Sequence, residues 1–237
     1  MRLLVTRPQP DADRTAARLA ALGHEALVQP LLTITFNPPP ADVERPGAIL
    51  VTSQNAVRAL TKWPQMRDWQ AVPVFAAGPA TAWALADAGF KDVRTGARDS
   101  GSLADIVIET YPKDAGPLLY PAARDRAGAL AGGLFAQGCD VRTVEAYSAD
   151  PVTRFDPDVR DALVRGEIGG VLLYSGRTAK TLKAVAAAED ISDSLAQSEY
   201  FVISRHVAEI VAELGARVHV AERPNEGSLL ALIPAAA

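Results

Sequence analysis

The chain has 237 residues, of which 49% are hydrophobic, and it carries a formal net charge of −4. This length and composition allow ordinary apolar cores in one large or two small domains, and we start from the expectation of two lobes. The acidic balance argues against broad nucleic-acid binding, which needs a basic face, so any anionic ligand must be met by local positive groups.

Cysteine usage and the start of the chain indicate the compartment. The single cysteine, Cys139, excludes an internal disulfide and a cysteine-based metal cluster, and it fits a reducing compartment. The chain opens on MRLLVTRP, without the pattern of a secretory signal. No apolar run approaches the ~20 residues that a membrane helix needs. We therefore expect a cytoplasmic protein that does not bind membranes.

The first 40 residues predict a βαβ unit followed by a connector. Gly23 ends the predicted helix in the left-handed conformation that glycine tolerates. The proline tract 37–40 cannot be helical and is expected to act as a semi-rigid connector. The predicted elements are strand 2–7, helix 11–22, strand 25–28 and the extended segment 31–36.

The stretch ILVTSQNAVRAL, residues 49–60, predicts a strand-to-helix corner. Its first four residues form a strand buried on both faces, and Ser53 stands where the helix begins. A second corner follows at Gly78–Thr81, where Pro79 fits the first helical turn. Backbone N–H groups exposed at such helix starts suit an anionic ligand.

Strands and helices alternate along the rest of the chain, which predicts an α/β protein with parallel sheets. The predicted strands are 72–77, 118–120, 140–143, 171–174, 200–203 and 217–220, with an extended segment at 144–152. The predicted helices are 80–88, 100–110, 126–137, 158–164, 178–188, 207–214 and 227–233.

An internal duplication places the domain boundaries. VLLYSGRTAKTL at 171–182 repeats the corner at 49–60, and three further pairs match, namely Gly23 with Gly138, Gly89 with Gly215, and the GSL motif at 101–103 with that at 227–229. We predict two similar parallel-sheet lobes, each a three-layer α/β unit, joined by a two-stranded linker that acts as a hinge, with the ligand cleft between the lobes. Lobe one is discontinuous. The predicted ranges are 1–33 and 152–237 for lobe one, 41–144 for lobe two, and 34–40 and 145–151 for the connectors.

The sequence lacks the common metal, nucleotide and nucleophile motifs, including H-E-x-x-H, G-x-G-x-x-G and G-x-S-x-G. Hydride, phosphoryl and acyl transfer therefore lose support. What remains is a set of polar residues where predicted strands end, which is the edge at which open α/β sheets bind ligands. They are Thr6, Arg7, Ser53, Gln54, Asn55, Gly78, Thr81, Arg124, Arg126, Ser175, Arg177, Ser204 and Arg205.

Each of these candidates has a structural alternative. Arginine matches carboxylates in two-point contact, but a single arginine at a helix start is also often merely solvated. As a group, we interpret the arginines as an anion site. Tyr147, in the second connector, either donates a proton to a departing hydroxyl or packs its ring at the hinge. The three tryptophans, Trp63, Trp69 and Trp83, are expected to pack.

The order of several motifs resembles the uroporphyrinogen-III synthase family over nearly the whole chain. The motifs are LLVTRP, ILVTSQNAV, AAGPATAWAL, GSL at 101–103, EAY at 145–147 and the final GSLL. The resemblance implies two α/β lobes joined by a two-stranded ladder. It also implies a lyase that converts hydroxymethylbilane, a linear tetrapyrrole polycarboxylate, to uroporphyrinogen III with loss of water and inversion of ring D. It implies no cofactor and no metal.

The same resemblance assigns roles to individual residues. Tyr147 would assist departure of the hydroxyl. Val207 stands where the family pattern has a threonine, and Arg205 offers a charge there in place of the hydroxyl. The hydroxyls around the carboxylates would come from Ser53, Thr81, Ser102 and Ser228, and the basic positions would be Arg7 and Arg126.

Two other functions stay open on the sequence alone. A non-catalytic two-lobed module that closes on an anionic small molecule needs only a hinge and arginines. A sugar- or nucleotide-transferring enzyme with two α/β lobes would bind a nucleotide, although no phosphate-binding glycine loop supports it. The preferred function predicts a small-molecule substrate, no nucleic-acid or membrane partner, and a monomer.

Overall fold

A computed structural model describes residues 1–95, 100–125 and 128–235. Strands and helices alternate, and short 3-10 helices cover Pro64–Trp69, Ser192–Gln197 and Ala212–Leu214. The strands and helices are β1 (Arg2–Val5), α1 (Asp11–Ala21), β2 (Glu25–Val28), β3 (Leu32–Phe36), β4 (Ala48–Val51), α2 (Gln54–Leu60), β5 (Val74–Ala76), α3 (Pro79–Asp87), β6 (Val93–Thr95), α4 (Ser100–Thr110), β7 (Leu118–Ala123), α5 (Gly128–Ala136), β8 (Val141–Pro151), α6 (Pro157–Val164), β9 (Gly170–Leu173), α7 (Gly176–Ala188), β10 (Glu199–Val202), α8 (Arg205–Val211), β11 (Val218–Val220) and α9 (Glu226–Leu230).

The strands form two sheets with the same internal order. Sheet A runs β11-β10-β9-β1-β2 and sheet B runs β6-β5-β4-β7-β8, with β3 added beside β8. The ladders within these two five-strand orders are parallel. The order of sheet B repeats that of sheet A, as the internal duplication predicts. The predicted α/β class with two similar parallel sheets is confirmed.

Alternate residues of the central strands face opposite sides of each sheet, as the strand period requires. In sheet B, Ile49 and Val51 belong to the apolar cluster beneath α2 and α3, whereas Ala48 and Leu50 belong to the cluster beneath α4 and α5. Sheet A separates Leu4 from its neighbours Leu3 and Val5 in the same way. Because helices cover both faces, each sheet is the middle layer of three.

The chain divides into two compact units. Unit 1 comprises residues 1–33 and 150–237, and unit 2 comprises residues 34–149. The chain passes from one unit to the other within β3 and within β8. These strands are antiparallel neighbours, because Leu31 O accepts from Val152 N at 3.1 Å and Ala146 O accepts from Asn37 N at 2.9 Å.

Some predicted boundaries were wrong. The sequence predicted that β7 ends at Tyr120, before a proline, but the strand continues through Pro121 to Ala123. The pairing of β7 with β4 stops at Leu119. Pro121 lies beyond that ladder, so its lack of an N–H costs no hydrogen bond to β4. The strand 140–143 and the extended segment after it form one strand, β8. β6 has no counterpart among the predicted strands.

In the part of the chain that the structure describes, no helix has the length and apolarity that crossing a membrane requires.

Candidate active site

Ser53 connects β4 to α2 at the predicted corner. Its backbone is extended (φ −154°, ψ 156°), and its Oγ accepts a hydrogen bond from Ala56 N at 3.1 Å. This is the N-cap arrangement that serine favours. The Ser53 Oγ also lies 2.7 Å from the Oη of Tyr147. The structure thus joins the cap of α2 to the residue that the sequence proposed as catalytic.

Tyr147 reaches the cap of α2 through an irregularity in β8. Ala122 pairs with Glu145 but Ala123 pairs with Tyr147, so Ala146 is an extra residue in β8. Such a bulge reverses the facing of the residues that follow it. Ala146 and Tyr147 therefore both join the apolar cluster beneath α2 and α3. Tyr147 is 7% exposed, and its hydroxyl lies at the carboxyl edge of sheet B.

Further polar side chains surround this corner. Gln54 begins α2 and is half-buried. The Oδ1 of Asn55 accepts from Nη1 of Arg58 at 2.6 Å. Helical side chains lean toward the helix N-terminus, which carries the Arg58 guanidinium back to the corner. Sequence reasoning missed Arg58, although its spacing of three from Asn55 was an available signal.

The second corner of unit 2, at Gly78, has no side-chain cap. Gly78 precedes α3 with an extended backbone (φ −178°, ψ 170°) and gives no side-chain cap. A Cβ built on Gly78 would meet nothing within 4 Å, so open space lies beside this corner. Thr81, in the first turn of α3, is 7% exposed, and its N–H donates to Gly78 O at 3.1 Å.

Two predicted positions of unit 2 fall outside the description. Arg126 lies outside the described residues, and although residue 102 belongs to α4, the side chain of Ser102 is also not described. Their roles stay predictions. Arg124 is described, and its Nε donates to Glu145 Oε1 at 3.0 Å while its N donates to Tyr147 O at 3.1 Å.

Ser175 forms the equivalent corner in unit 1. Its extended backbone (φ −159°, ψ 155°) caps α7, and its Oγ accepts from Thr178 N at 3.2 Å. The same Oγ lies 2.8 Å from the Thr178 Oγ1. Arg177 follows in the first turn of α7 and is half-buried.

A neighbouring corner begins α8. Ser204 precedes this helix without a side-chain cap, Arg205 is exposed, and Val207 is buried. A Cβ built on Gly176 would lie 3.1 Å from the His206 Nε2, so the lack of a side chain at Gly176 lets the starts of α7 and α8 approach each other. The predicted groups of these two corners therefore lie at one edge of sheet A.

Arg7 takes part in an ion-pair network instead of standing free. Its Nη1 lies 3.0 Å from Glu226 Oε1 and its Nη2 lies 3.5 Å from Asp11 Oδ2. Its guanidinium also lies 4.4 Å from the ring centroid of Tyr174. The Glu226 carboxylate accepts further hydrogen bonds from Thr15, Arg18 and Tyr174. Glu226 was not among the predicted residues, because most of its partners are distant in the chain.

Three groups in or beside this network have partners within the protein. Burial and the nearby Glu226 carboxylate raise the pKa of Tyr174 to about 12, so its phenol is neutral at physiological pH. Thr6 is fully buried and its hydroxyl donates to Leu172 O at 2.6 Å. The Oγ of Ser228 accepts from Arg223 N at 3.1 Å. The predicted ligand roles of Thr6, Arg7 and Ser228 thus compete with intramolecular bonds.

The described side chains were compared with the clusters that bind metal ions in proteins. Across residues 1–95, 100–125 and 128–235, no group of three or more His, Cys, Asp or Glu side chains is arranged to hold a metal ion.

Comparison with protein families shows the family of the chain. The model of the family described as uroporphyrinogen-III synthase HemD matches residues 13–231. The chain belongs to the uroporphyrinogen-III synthase family. As a family member it is an enzyme of tetrapyrrole biosynthesis, the pathway to haem, and it acts on a small tetrapyrrole. No curated protein sequence matches the chain significantly.

Solved structures of the synthase family share the fold. The uroporphyrinogen-III synthetase of Helicobacter pylori 26695 is 19% identical, with 98% of this chain and 96% of that chain covered at a TM-score of 0.68. A mutant uroporphyrinogen III synthase from the extremely thermophilic bacterium Thermus thermophilus is 20% identical, with the same coverage of 98% and 96% and a TM-score of 0.60. The resemblance drawn from the sequence motifs is confirmed.

Proposed function

We propose that the chain is a lyase that cyclises hydroxymethylbilane to uroporphyrinogen III, with loss of water and inversion of ring D. The observation that carries this proposal is the 2.7 Å contact between Ser53 Oγ and Tyr147 Oη at the carboxyl edge of sheet B. It supports a catalytic phenol that a neighbouring hydroxyl orients. Family membership supports the proposal, because it makes the chain an enzyme of tetrapyrrole synthesis.

The hydrogen bonds of Ser53 are compatible with a direction of proton donation that suits acid catalysis. A serine hydroxyl has one proton to donate, and Ser53 Oγ already accepts from Ala56 N. We assign the Ser53 proton to the contact with Tyr147 Oη. Tyr147 then donates its own phenolic proton to the terminal hydroxyl of the substrate, as a general acid does.

The chemical steps follow from this proton transfer. The C–O bond breaks, water leaves, and the terminal ring becomes an azafulvene cation. The substituted carbon of ring D attacks that cation to form a spirocyclic pyrrolenine, which fragments and recloses with ring D inverted. The proton released on the final aromatisation restores the Tyr147 phenol. No cofactor or metal enters this sequence.

Positioning contributes more than acid strength in this proposal. Hydroxymethylbilane also closes unaided, without inversion, to the type I isomer. The protein must therefore hold the chain of pyrroles in one geometry, which is the orientational kind of catalysis.

The carboxylates of the substrate need local donors, because the whole chain is acidic, with a net charge of −4. We propose that they bind at the corners, where hydroxyls and backbone N–H groups lie beside arginines. The hydroxyl groups are those of Ser53, Thr81, Ser102, Ser175, Ser204 and Ser228. Side-chain amides come from Gln54 and Asn55, and open backbone comes from Gly78. The cations are Arg58, Arg126, Arg177 and Arg205.

We further propose a cytoplasmic monomer without nucleic-acid or membrane partners. The acidic net charge supports the absence of a nucleic-acid partner, and the single cysteine supports a reducing compartment.

The product isomer tests the proposed function. Purified protein is incubated with hydroxymethylbilane, the products are oxidised to porphyrins, and the type I and type III isomers are separated. We expect mainly the type III isomer, and mainly type I from a blank without protein. If the protein yields only the type I isomer, the proposal is wrong and the non-catalytic binding module becomes the better account.

A further inference from the structure

Trp83 differs from the other two tryptophans of the chain. Trp63 and Trp69 are each 2% exposed and pack edge to face, with ring centroids 6.3 Å apart. Trp83, on α3, is 71% exposed. The prediction from the sequence that all three tryptophans pack is wrong for Trp83.

The position of Trp83 places its ring near the Gly78 corner. Trp83 lies just over one helical turn after the start of α3 at Pro79. Helical side chains cover the turn N-terminal to their own Cα, so the indole leans over Pro79 and Ala80, which are both exposed. The space beside Gly78 is also open, because a Cβ there would meet nothing within 4 Å. An aromatic surface and open backbone thus adjoin at the carboxyl edge of sheet B.

Packing does not explain the exposed indole. The inward side of α3 is filled by Thr81 and Leu85, which are 7% and 0% exposed. An indole left in water keeps its apolar face free to stack on another aromatic ring. A pyrrole is a flat aromatic ring, and in this substrate class it carries carboxylates that need the polar groups of the neighbouring corner.

We propose that Trp83 contacts a pyrrole ring of the tetrapyrrole and so contributes to substrate binding. The inference rests on the proposed function for the identity of the ligand. The contact stabilises the bound substrate and the transition state equally, since the indole carries no group that takes part in bond breaking. Its loss therefore raises KM and leaves kcat unchanged.

Steady-state kinetics of three variants test the contact. For Trp83→Ala we expect KM for hydroxymethylbilane to rise about fivefold, within the range of roughly 2- to 13-fold that one aromatic pair supplies, with kcat within about twofold of wild type. Trp83→Phe keeps an aromatic face and should stay within about twofold in both constants.

Phe135→Ala is the matched control, because Phe135 is 74% exposed on α5, beside the apolar cluster on the other face of sheet B. It should leave KM unchanged. If Trp83→Ala and Phe135→Ala have the same KM as wild type, the inference is overturned.

Fluorescence tests the contact without relying on turnover. Trp83 is the exposed tryptophan, so acrylamide should quench mainly its emission. Saturating uroporphyrinogen III, kept anaerobic so that no porphyrin absorbs the emission, should at least halve the quenching constant. The Trp83→Phe variant should show little quenching in either state. Unchanged quenching in the wild-type protein would overturn the inference.

The two failures are distinguishable. A wild-type protein that forms only the type I isomer contradicts the proposed function, while the quenching experiment still decides whether a tetrapyrrole covers Trp83. A wild-type protein that forms the type III isomer, with Trp83→Ala kinetics unchanged, contradicts the Trp83 contact alone.

Discussion

Arg7 and Glu226 illustrate how a predicted ligand residue can serve the fold instead. The side chains of Arg7 and Glu226 are 20% and 18% exposed, so their ion pair is partly shielded from water. Glu226 begins α9, Arg7 follows β1, and Tyr174 follows β9, so the network ties three elements of unit 1 together. Removing one partner leaves the others with unmet charge, which is costly at this burial.

Substituting Arg7 should therefore reduce stability more than substrate binding. For Arg7→Ala we expect a loss of about 2 kcal/mol in the free energy of unfolding, or roughly 4–8 °C in melting temperature, with KM within about twofold of wild type. Thermal melts and steady-state kinetics measure the two effects.

Arg14→Ala is the control for this variant. Arg14 pairs with the same Asp11, but its side chain is 59% exposed, so its loss should cost less than about 1 kcal/mol. A tenfold rise in KM for Arg7→Ala with an unchanged melting temperature would instead return Arg7 to the substrate-binding set.

Helix α5 contains two glycines that its structure does not require. Gly132 and Gly133 lie in the middle of this nine-residue helix, where glycine costs backbone entropy, and a Cβ at either position would meet nothing within 4 Å. Gly133→Ala should therefore stabilise the protein by about 0.5–1 kcal/mol, measured by chemical denaturation.

Gly176→Ala provides the contrast at the start of α7. There a Cβ would lie 2.9 Å from the Ile210 Cδ1, so crowding against α8 offsets any gain in helix propensity. We expect no stabilisation from Gly176→Ala. Equal stabilisation by both substitutions would show that the close approach of α7 to α8 is not tight.

The elements that the sequence predicted well are those with strong local signals. The corner at Ser53 has a buried strand, a capping serine and a helical repeat, and all three are present in the structure. Gly23 and Gly138 end their helices at φ values of 80° and 83°, as the left-handed position requires. β6 was missed because its three residues, Val93–Thr95, are too few to show a period.

Other features depend on tertiary contacts that no local pattern reveals. The extra residue Ala146 that turns Tyr147 toward Ser53 is visible only in the pairing of β8 with β7. The network of Glu226 joins residues more than 200 positions apart. The exposure of Trp83 depends on which face of α3 meets sheet B.

The whole molecule consists of two units with separate cores. Each of the four apolar clusters lies entirely within one unit, and unit 2 is a single continuous segment, residues 34–149. The predicted connectors, 34–40 and 145–151, include or adjoin the points where the chain passes between units. Their action as a hinge stays a prediction.

A fragment with its own core should fold alone. We expect residues 34–149 to give the far-UV circular dichroism of an α/β protein and a cooperative thermal transition, because the described residues of its two apolar clusters all belong to unit 2. A dispersed amide NMR spectrum would confirm native packing. A fragment without a cooperative transition at any temperature would show that unit 2 depends on unit 1.

The proposed mechanism requires that Ser53 and Tyr147 act as one proton-donating pair in type III synthesis. The most direct test is a double-mutant cycle on the single-turnover rate of type III formation, measured well below the melting temperature of each variant. We predict that Tyr147→Phe lowers this rate at least about tenfold, with the fold unchanged, and that Ser53→Ala added to it lowers the rate little further. A Tyr147→Phe rate within twofold of wild type would contradict the claim. So would a double variant whose loss in rate equals the product of the losses in the two single variants.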